Sequence, residues 1–311
     1  LILIWGLFAI GFDLIFGTSF GYMDPMEVVA NEFPDTMFIH LTGFKTNGTN
    51  YGNLFGEMEV FKYLAGMLAG ARAKADGNPR IGYMATFPIP EELRLGNAIL
   101  LGARRTCPEC TMDVRWINTW HDPVIEKEAA TSLFDGGVQV VFTGADTPAA
   151  GDVATEKGKW GVNYDWVGNC TKTGCLTSIY WNWGPVYAKI AADTKAGTYT
   201  PGFEYFGSEM GAMGIFGFME GQEPMPGIEG IAAEDLQLFQ DTLQAALDGT
   251  FTRFDVFAGP IMDNKGNEVL PAGAKLEQAD IDCFAVGDSP RCTVGMYWWA
   301  EGVTAELPPL Q

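Results

Sequence analysis

Seven short segments of the sequence place aromatic rings and hydrogen-bonding groups at the predicted ends of strands. They cover residues 19–24, 42–45, 87–92, 120–122, 146–149, 165–168 and 181–184. Six of the seven contain an aromatic residue and five contain a carboxylate. Flat aromatic side chains with spaced acceptors suit a planar, hydrogen-bonding ligand such as a nucleobase, or a sugar ring.

The same residues also have purely structural interpretations. Asp24, Asp122 and Asp146 each stand at the start of a predicted helix, where an aspartate more often caps the helix than binds a ligand. Trp and Phe at strand ends more often cover the core than stack on a ligand. We assign Trp298 and Trp299 to packing.

Signatures of enzymes are scarce. The sequence has no GxSxG elbow, Walker A loop, GxGxxG after a strand, or HExxH motif. A carboxylate pair for glycoside hydrolysis stays open, with Glu91 or Glu92 acting with Asp146 or Asp165. With two histidines in the sequence, a three-His metal centre within one chain is impossible. We therefore expect no enzyme, no metal site and no other cofactor.

The cysteines indicate an oxidising compartment. They form three local pairs, Cys107/Cys110, Cys170/Cys175 and Cys283/Cys292. A zinc ribbon needs two CxxC elements, and the sequence has one. An even number of cysteines closing short loops favours structural disulfides outside the cytoplasm. N-x-[ST] motifs at Asn47 and Asn169 are compatible with a secreted protein.

Composition excludes some classes of function. The 311 residues are 47% hydrophobic, which is enough apolar material for a packed core and excludes wholesale disorder. The formal net charge is -20, with 19 Lys+Arg against 39 Asp+Glu. Binding to duplex nucleic acid needs clustered Lys and Arg, so we expect no nucleic-acid partner. A cationic, neutral or zwitterionic ligand suits this charge better than a polyanion.

Short apolar runs alternate with amphipathic stretches up to about residue 200, which predicts βα units and a parallel sheet. The predicted strands cover residues 13–18, 36–42, 80–86, 113–118, 138–143, 160–164 and 177–181. The predicted helices cover residues 25–33, 57–75, 91–105, 123–134, 185–195 and 232–247. Asp24 is the predicted N-cap of the first helix, Asp122 that of the fourth, and a hairpin is predicted over residues 257–270. Ligands of such sheets bind at the carboxyl ends of the strands, where the seven segments lie.

The first ten residues are apolar and have no basic flank. Asp13 interrupts the apolar run before it reaches the length of a membrane span. We interpret residues 1–10 as the tail of a helix that leads into the first strand, and we expect no membrane span in this chain.

Several long segments carry a family likeness. They include GFDLIFGTSFGYMDP (11–25), HLTGFKTN (40–47), IGYMATFPIPEELRLGNAILLGAR (81–104), INTWHDPVIEKEAATSLFDGG (117–137) and WNWGPVYAKI (181–190). These segments resemble the basic membrane protein (BMP) family of substrate-binding proteins of ABC importers, most closely its purine-binding branch. The match extends over about residues 11–303.

The resemblance implies the α/β fold of type I periplasmic binding proteins, with two lobes of parallel sheet flanked by helices. The lobes would close on a purine base or nucleoside and deliver it to the membrane permease of an ABC importer. The first lobe would hold residues 1–50 and 178–250, the second residues 51–177, and a C-terminal hairpin and tail residues 251–311. The family's first two β-α units are absent from this sequence, so we expect an incomplete first lobe and an N-terminally truncated product.

By position, the resemblance implies a set of ligand-binding candidates: Phe20, Tyr22, Asp24, Phe87, Trp120, Asp146, Asp165, Trp181 and Trp183. The aromatic members other than Trp181 are candidates to sandwich a base. Asp146 and Asp165 would accept hydrogen bonds from exocyclic amino groups or ribose hydroxyls. Because unpaired carboxylates in a dry cleft are costly, a ligand rich in donors would satisfy them.

Two other functions stay open from the residues alone. The extra disulfides, the N-x-[ST] motifs and the missing strands are compatible with a structural or interaction protein of an extracellular assembly that reuses this scaffold. The carboxylate pair is compatible with a secreted hydrolase. In each case we expect an extracytoplasmic location: periplasmic, lipid-anchored at the cell surface as a lipoprotein, or secreted.

Overall fold

Residues 11–283 and 294–309 are described by the structure, a computed structural model. They form two units, one of residues 11–57 and 182–212 and the other of residues 58–181 and 213–309 without the gap. The predicted helix tail at residues 1–10 and the cysteine Cys292 lie outside the described residues.

The elements follow the predicted alternation of strands and helices. The strands are β1 (Leu14–Gly17), β2 (Met37–Leu41), β3 (Tyr51–Gly56), β4 (Arg80–Ala85), β5 (Thr111–Trp116), β6 (Val140–Thr143), β7 (Trp160–Asn163), β8 (Cys175–Trp181), β9 (Phe203–Phe206), β10 (Met213–Ile215), β11 (Ile261–Met262) and β12 (Glu268–Leu270). The α-helices are α1 (Met23–Glu32), α2 (Met58–Ala75), α3 (Pro90–Thr106), α4 (Pro123–Asp135), α5 (Ala149–Lys157), α6 (Gly184–Ala196), α7 (Ala233–Leu247), α8 (Arg253–Val256) and α9 (Gln278–Ile281). The predicted α/β class is confirmed.

The first unit is a parallel sheet in the order β1-β2-β3-β9. Successive residues of a strand face opposite sides of a sheet. Accordingly, Phe38 packs with Met26 and Val29 of α1, whereas its neighbour Ile39 packs with Val186 of α6. Alternation along β2 therefore places one helix on each face.

Strand β3 has no counterpart in the prediction. Its sequence, YGNLFG, contains residues that are depleted in strands, yet all six of its residues are buried. It pairs with β2 on one side and β9 on the other, so sheet context outweighs its weak local preference.

The second unit has a six-stranded sheet in the order β10-β8-β7-β6-β4-β5, parallel except for β10. Helices α2 and α3 pack closely, and glycine makes this possible. A Cβ atom at Gly66 would lie 2.2 Å from the Ile99 carbonyl oxygen, and one at Gly102 would lie 2.0 Å from that of Tyr63. Any larger residue at either position would push the two helices apart.

The division into units differs from the predicted lobe boundaries. Residues 213–250, expected in the first lobe, belong to the second unit. Strand β10 pairs antiparallel with β8, and Lys74 of α2 forms an ion pair with Asp235 of α7. These pairings join residues far apart in sequence, which local patterns do not reveal.

The predicted disulfides Cys107–Cys110 and Cys170–Cys175 are confirmed, with S–S distances of 2.08 and 2.00 Å. The predicted hairpin near the C-terminus is also confirmed, because β11 and β12 pair antiparallel. None of the helices in the described part of the chain has the length and apolar character that crossing a bilayer requires.

Candidate ligand-binding site

Backbone strain in the described residues concentrates at the carboxyl ends of strands. Ser19, Thr42, Asn118 and Asp165 are the described non-glycine residues with positive φ, at 81°, 64°, 51° and 73°. Each lies within two residues of the end of a parallel strand. Such conformations cost roughly 1–3 kcal/mol each and cluster at functional sites. The strand-end edge of each sheet is therefore the candidate functional edge.

A buried lysine, Lys62 of α2, lies beneath this edge in the second unit. Its side chain has no exposed surface. Its Nζ donates a hydrogen bond to the carbonyl oxygen of Thr143, at 2.9 Å. The same Nζ lies 3.9 Å from the centroid of the Tyr164 ring, a cation–π contact. Lys62 thereby joins the ends of β6 and β7.

Four carboxylates surround this ammonium. Burial lowers the pKa of Lys62 to about 8, against the opposing fields of Glu92, Glu91, Asp165 and Asp146. Burial also raises the pKa of Glu91 to about 8 and that of Asp146 to about 7, and it raises the pKa of Asp165. Burial thus favours the protonated forms of these carboxyl groups, and a ligand that donates hydrogen bonds to them would stabilise their ionised forms.

The two adjacent glutamates play different parts. Oε2 of the buried Glu92 accepts hydrogen bonds from the Thr86 backbone N–H at 2.7 Å and from the Tyr83 hydroxyl at 2.9 Å. Glu92 is therefore part of the framework that holds the end of β4. Glu91 lies half-buried beside it, at the start of α3.

Two of the three aspartates with an N-cap interpretation do not cap a helix. Asp122 does: its Oδ1 accepts from the backbone N–H groups of Val124 and Ile125, at 3.0 and 3.1 Å. Helix α5 begins at Ala149 and has Pro148 in the N-cap position, so Asp146 stands outside it. No hydrogen bond joins the Asp146 carboxylate to another described residue, which leaves it available to a ligand.

The Asp24 N-cap prediction is wrong. Helix α1 begins at Met23, and Tyr22 occupies its N-cap position. The turn Phe20–Tyr22 already runs into the helix, so Asp24 lies inside the first turn. Its carboxylate instead forms an ion pair with Lys45, at 3.0 Å.

Asn169 ties three strand-end segments of the second unit together. Its Nδ2 donates to the carbonyl oxygens of Tyr164 and Asp146, at 2.7 and 3.1 Å. The backbone N–H of Asp146 in turn donates to the carbonyl oxygen of Trp120, at 3.0 Å. Asp165 directly follows Tyr164, and its carbonyl oxygen accepts a hydrogen bond from the backbone N–H of Trp181, at 3.2 Å.

The Cys170–Cys175 disulfide closes the loop that presents Asn169. We expect the Cys170→Ser/Cys175→Ser double variant to lose about 2 kcal/mol of unfolding free energy, since a six-residue loop is no longer closed in the unfolded chain. Urea denaturation of the non-reduced proteins measures this loss. As a control, Lys172→Ala changes an exposed side chain of the same loop and should stay within about 0.5 kcal/mol of the wild type. An unchanged midpoint and slope in the double variant would contradict the expectation.

The aromatic candidates of the second unit form a corner. The rings of Phe87 and Trp120 touch, with centroids 5.2 Å apart and planes inclined by 52°. They are thus two walls at an angle rather than a parallel pair. Trp181 donates from its Nε1 to the Tyr164 hydroxyl, at 3.0 Å, and so supports the end of β7.

The candidates of the first unit differ in exposure. Phe20 and Tyr22 are 37% and 38% exposed on the turn after β1. Trp183 lies over Tyr187, with centroids 6.2 Å apart and planes only 9° apart. Tyr187 in turn stacks on Phe16, at 4.4 Å, so one face of Trp183 is used in packing.

The sequence does not predict every residue that contributes to the strand-end edges of the two sheets. Lys62 is one that it does not predict, although a lysine within an otherwise apolar helix segment is a visible signal, since buried ammonium groups need partners. His40, Asn53 and Asn169 were not assigned a role at these edges either. Their roles depend on contacts between distant segments.

Comparison with known proteins identifies the family. The model of the Bmp family, described as ABC transporter substrate-binding protein PnrA-like, matches residues 6–215. A purine-binding protein of Brucella abortus is 32% identical over 302 residues, covering 96% of this chain and 77% of that protein. A Haloferax volcanii protein, named as a candidate glucose-binding protein of an ABC transporter, is 36% identical over 261 residues. That alignment covers 83% of this chain, which spans 62% of the Haloferax protein.

Solved structures share the fold. An ABC transporter solute-binding protein from Aeropyrum pernix superposes with a TM-score of 0.64 at 18% identity, covering 80% of this chain and 78% of that one. The family match extends over most of the chain and agrees with the resemblance of the strand-end segments. The chain belongs to the Bmp family of PnrA-like ABC transporter substrate-binding proteins, which are transport components and not enzymes.

Proposed function

We propose that the protein binds a purine base or nucleoside outside the cytoplasm and delivers it to the permease of an ABC importer. The observation that carries the proposal is the Asp146 carboxylate, without a hydrogen-bond partner among the described residues, next to the Phe87–Trp120 corner. The name of the Brucella relative supports a purine ligand. Two disulfides support an oxidising compartment.

The chemistry of this edge suits a nucleoside. An aromatic ring wall gains most from a flat heterocycle, which stacks with its whole face. Carboxylates with raised pKa are costly to keep ionised, and amino or hydroxyl donors stabilise their charged form. A nucleoside offers the heterocycle and the hydroxyl donors in one molecule. A hexose offers the hydroxyls and a puckered ring without a flat aromatic face, which makes glucose the informative competitor, given the name of the Haloferax relative.

Thermal unfolding and isothermal titration calorimetry test this function. The ligands are adenine, guanine, adenosine, guanosine and inosine, with glucose beside them. A ligand at about 100 times its Kd stabilises the folded protein by about 2.7 kcal/mol, a shift readily measured. We expect stabilisation by at least one purine and none by glucose. Stabilisation by glucose alone would replace the purine proposal with a sugar-binding function, and stabilisation by none would favour the interaction-protein alternative.

Trp120→Ala is expected to weaken nucleoside binding by about 1–3 kcal/mol, because a stacked base loses its ring partner. Titration calorimetry measures the change. The matched control is Trp160→Ala, which removes a tryptophan at the opposite, amino end of β7. We expect the control to bind like the wild type. Equal affinity of Trp120→Ala and wild type would return Trp120 to a packing role. The first-unit candidate Trp183 is predicted to behave like Trp120, and its alanine variant belongs in the same series.

A further inference from the structure

The first unit contains a buried histidine that no part of the proposed chemistry uses. His40 lies in β2, and none of its surface is exposed. Its Nε2 is 2.9 Å from the carbonyl oxygen of Ser19, the strained residue after β1. Its Nδ1 is 3.3 Å from Nδ2 of Asn53, which lies in β3.

The hydrogen bonds of Asn53 set the state of this ring. Oδ1 of Asn53 accepts from the backbone N–H of Gly43, at 3.2 Å. The amide nitrogen of Asn53 therefore faces the ring and donates to Nδ1. Nδ1 must then be the acceptor nitrogen, and the ring proton resides on Nε2, from which it reaches the Ser19 carbonyl. The network assigns His40 as the neutral Nε2–H tautomer.

The segment after β2 lies directly on this ring. A Cβ atom at Gly43 would be 2.5 Å from Nδ1 of His40 and 2.8 Å from Sδ of Met23, so only glycine fits. His40 thus contacts the segments that follow β1 and β2 at once. The first of them contains the ligand-binding candidates Phe20 and Tyr22.

A second proton on the ring would break this arrangement. A proton on Nδ1 would point at the amide NH₂ of Asn53. Rotation of that amide would aim the same NH₂ at the Gly43 N–H, so neither orientation satisfies both neighbours. A buried charge without an acceptor is expensive.

The charged groups near His40 do not compensate for this cost. Burial lowers the pKa of His40, while its hydrogen bonds to Ser19 and Asn53 and the Asp24 carboxylate of α1 act in the opposite direction. Asp24 is itself paired with Lys45 of the segment after β2. Asn53 of β3 is neutral. The pKa of His40 in this arrangement therefore lies below that of a free histidine, so protonation of the ring and this arrangement oppose each other.

We propose that His40, together with Asn53, is a positioning residue that holds the segments after β1 and β2 in their ligand-binding form only while its ring is neutral, so that acid releases the ligand. This inference rests on the proposed function for its ligand-binding consequence. Its structural part, the tautomer and the loss of order on protonation, is independent of the ligand.

Nuclear magnetic resonance tests the structural part directly, because the sequence has two histidines. In ¹⁵N-histidine-labelled protein, the exposed His121 gives the second set of ring signals, and the His121→Gln variant identifies which set belongs to His40. We expect the His40 signals at pH 7.5 to be those of the Nε2–H tautomer, and we expect protonation of His40 on acidification to be accompanied by changes in the backbone amide signals of the segments after β1 and β2. An Nδ1–H tautomer for His40 at pH 7.5, or protonation of His40 with those amide signals unchanged, would overturn the proposal even if no nucleoside binds.

The binding part is tested with Asn53→Asp, in which a carboxylate can accept from a protonated Nδ1 and from Gly43 N–H together. Between pH 7.5 and pH 5, the loss of affinity for the nucleoside should be at least about tenfold smaller in this variant than in wild type. The reason is that protonation of His40 no longer opposes binding in the variant. Asn31→Asp, the same substitution at an exposed position of α1, should show the wild-type pH profile. Equal profiles for Asn53→Asp and wild type would overturn the proposal. Absence of any nucleoside binding at pH 7.5 would instead count against the proposed function alone.

Discussion

Asp146→Asn should weaken the binding of a purine nucleoside by about 10- to 100-fold at pH 8. Hydrogen bonds to a charged acceptor contribute about 1.5–3 kcal/mol, and the amide of asparagine replaces one acceptor oxygen with a donor. The wild-type carboxylate has no hydrogen-bond partner among the described residues, so a ligand donor meets no internal competitor. Titration calorimetry of both proteins measures the ratio of the two Kd values.

The pH dependence of wild-type binding has a defined sign. Burial raises the pKa of Asp146 to about 7, so the free protein keeps this proton up to about neutral pH. A ligand donor requires the ionised form, so binding releases the proton and affinity falls as the pH drops below about 7. Release of one proton on binding corresponds to an affinity about tenfold lower at pH 6 than at pH 8. Titrations in two buffers of different ionisation enthalpy count the released protons, and Asp146→Asn should release fewer.

Asp122→Asn is the matched control for this aspartate. Asp122 also follows a strand, but its carboxylate caps α4, and asparagine caps a helix equally well. We expect this variant to keep both wild-type affinity and the wild-type pH profile. Equal affinities of Asp146→Asn and wild type at pH 8 would contradict the assignment of Asp146 to the ligand.

Glu59→Ala should lower the free energy of unfolding by about 3–5 kcal/mol, since it removes the carboxylate that lies between two buried guanidinium groups. Oε1 of Glu59 is 2.6 Å from Nε of Arg94 and 4.0 Å from Nη1 of Arg253. The side chains of all three residues are at most 4% exposed. Urea denaturation followed by circular dichroism measures the loss.

The control for Glu59→Ala is Glu156→Ala, which removes the carboxylate of an exposed ion pair. Lys127 and Glu156 form an ion pair of 2.9 Å whose side chains are 56% and 58% exposed, so solvent screens it. Its removal should change the free energy of unfolding by less than about 1 kcal/mol. A Glu59→Ala variant as stable as Glu156→Ala would show that the buried carboxylate is replaced without cost.

Sequence patterns predicted the strands and helices where local preference and burial agree. Helix α4 with its Asp122 cap is such a case, since the cap residue and the proline after it both favour a helix start. Strand β3 was missed because its glycines and asparagine read as a loop until neighbouring strands supply partners. The sequence predicts Asp24 as a cap because no local signal shows that the turn before it continues into α1.

The candidate site was predictable only in part, for a related reason. Parallel strands end at one edge, so the segments that carry Asp146 and Asp165 could be named from the alternation of elements. The contacts that hold those segments in place could not be predicted from the sequence. Lys62 reaches Thr143, and Asn169 reaches Asp146, through contacts between elements far apart along the chain. Such contacts exist only after the chain has folded.

Asn169 makes the choice of expression host important. It heads an N-x-T motif, and a glycosylating secretory pathway attaches its sugar to the same Nδ2 that donates to Tyr164 and Asp146. An attached glycan leaves that nitrogen a single hydrogen for two carbonyl oxygens, in a side chain that is largely buried. Protein made in yeast or insect cells would therefore carry a disturbed second unit wherever this asparagine is modified. Production in a bacterial host without this pathway preserves the amide.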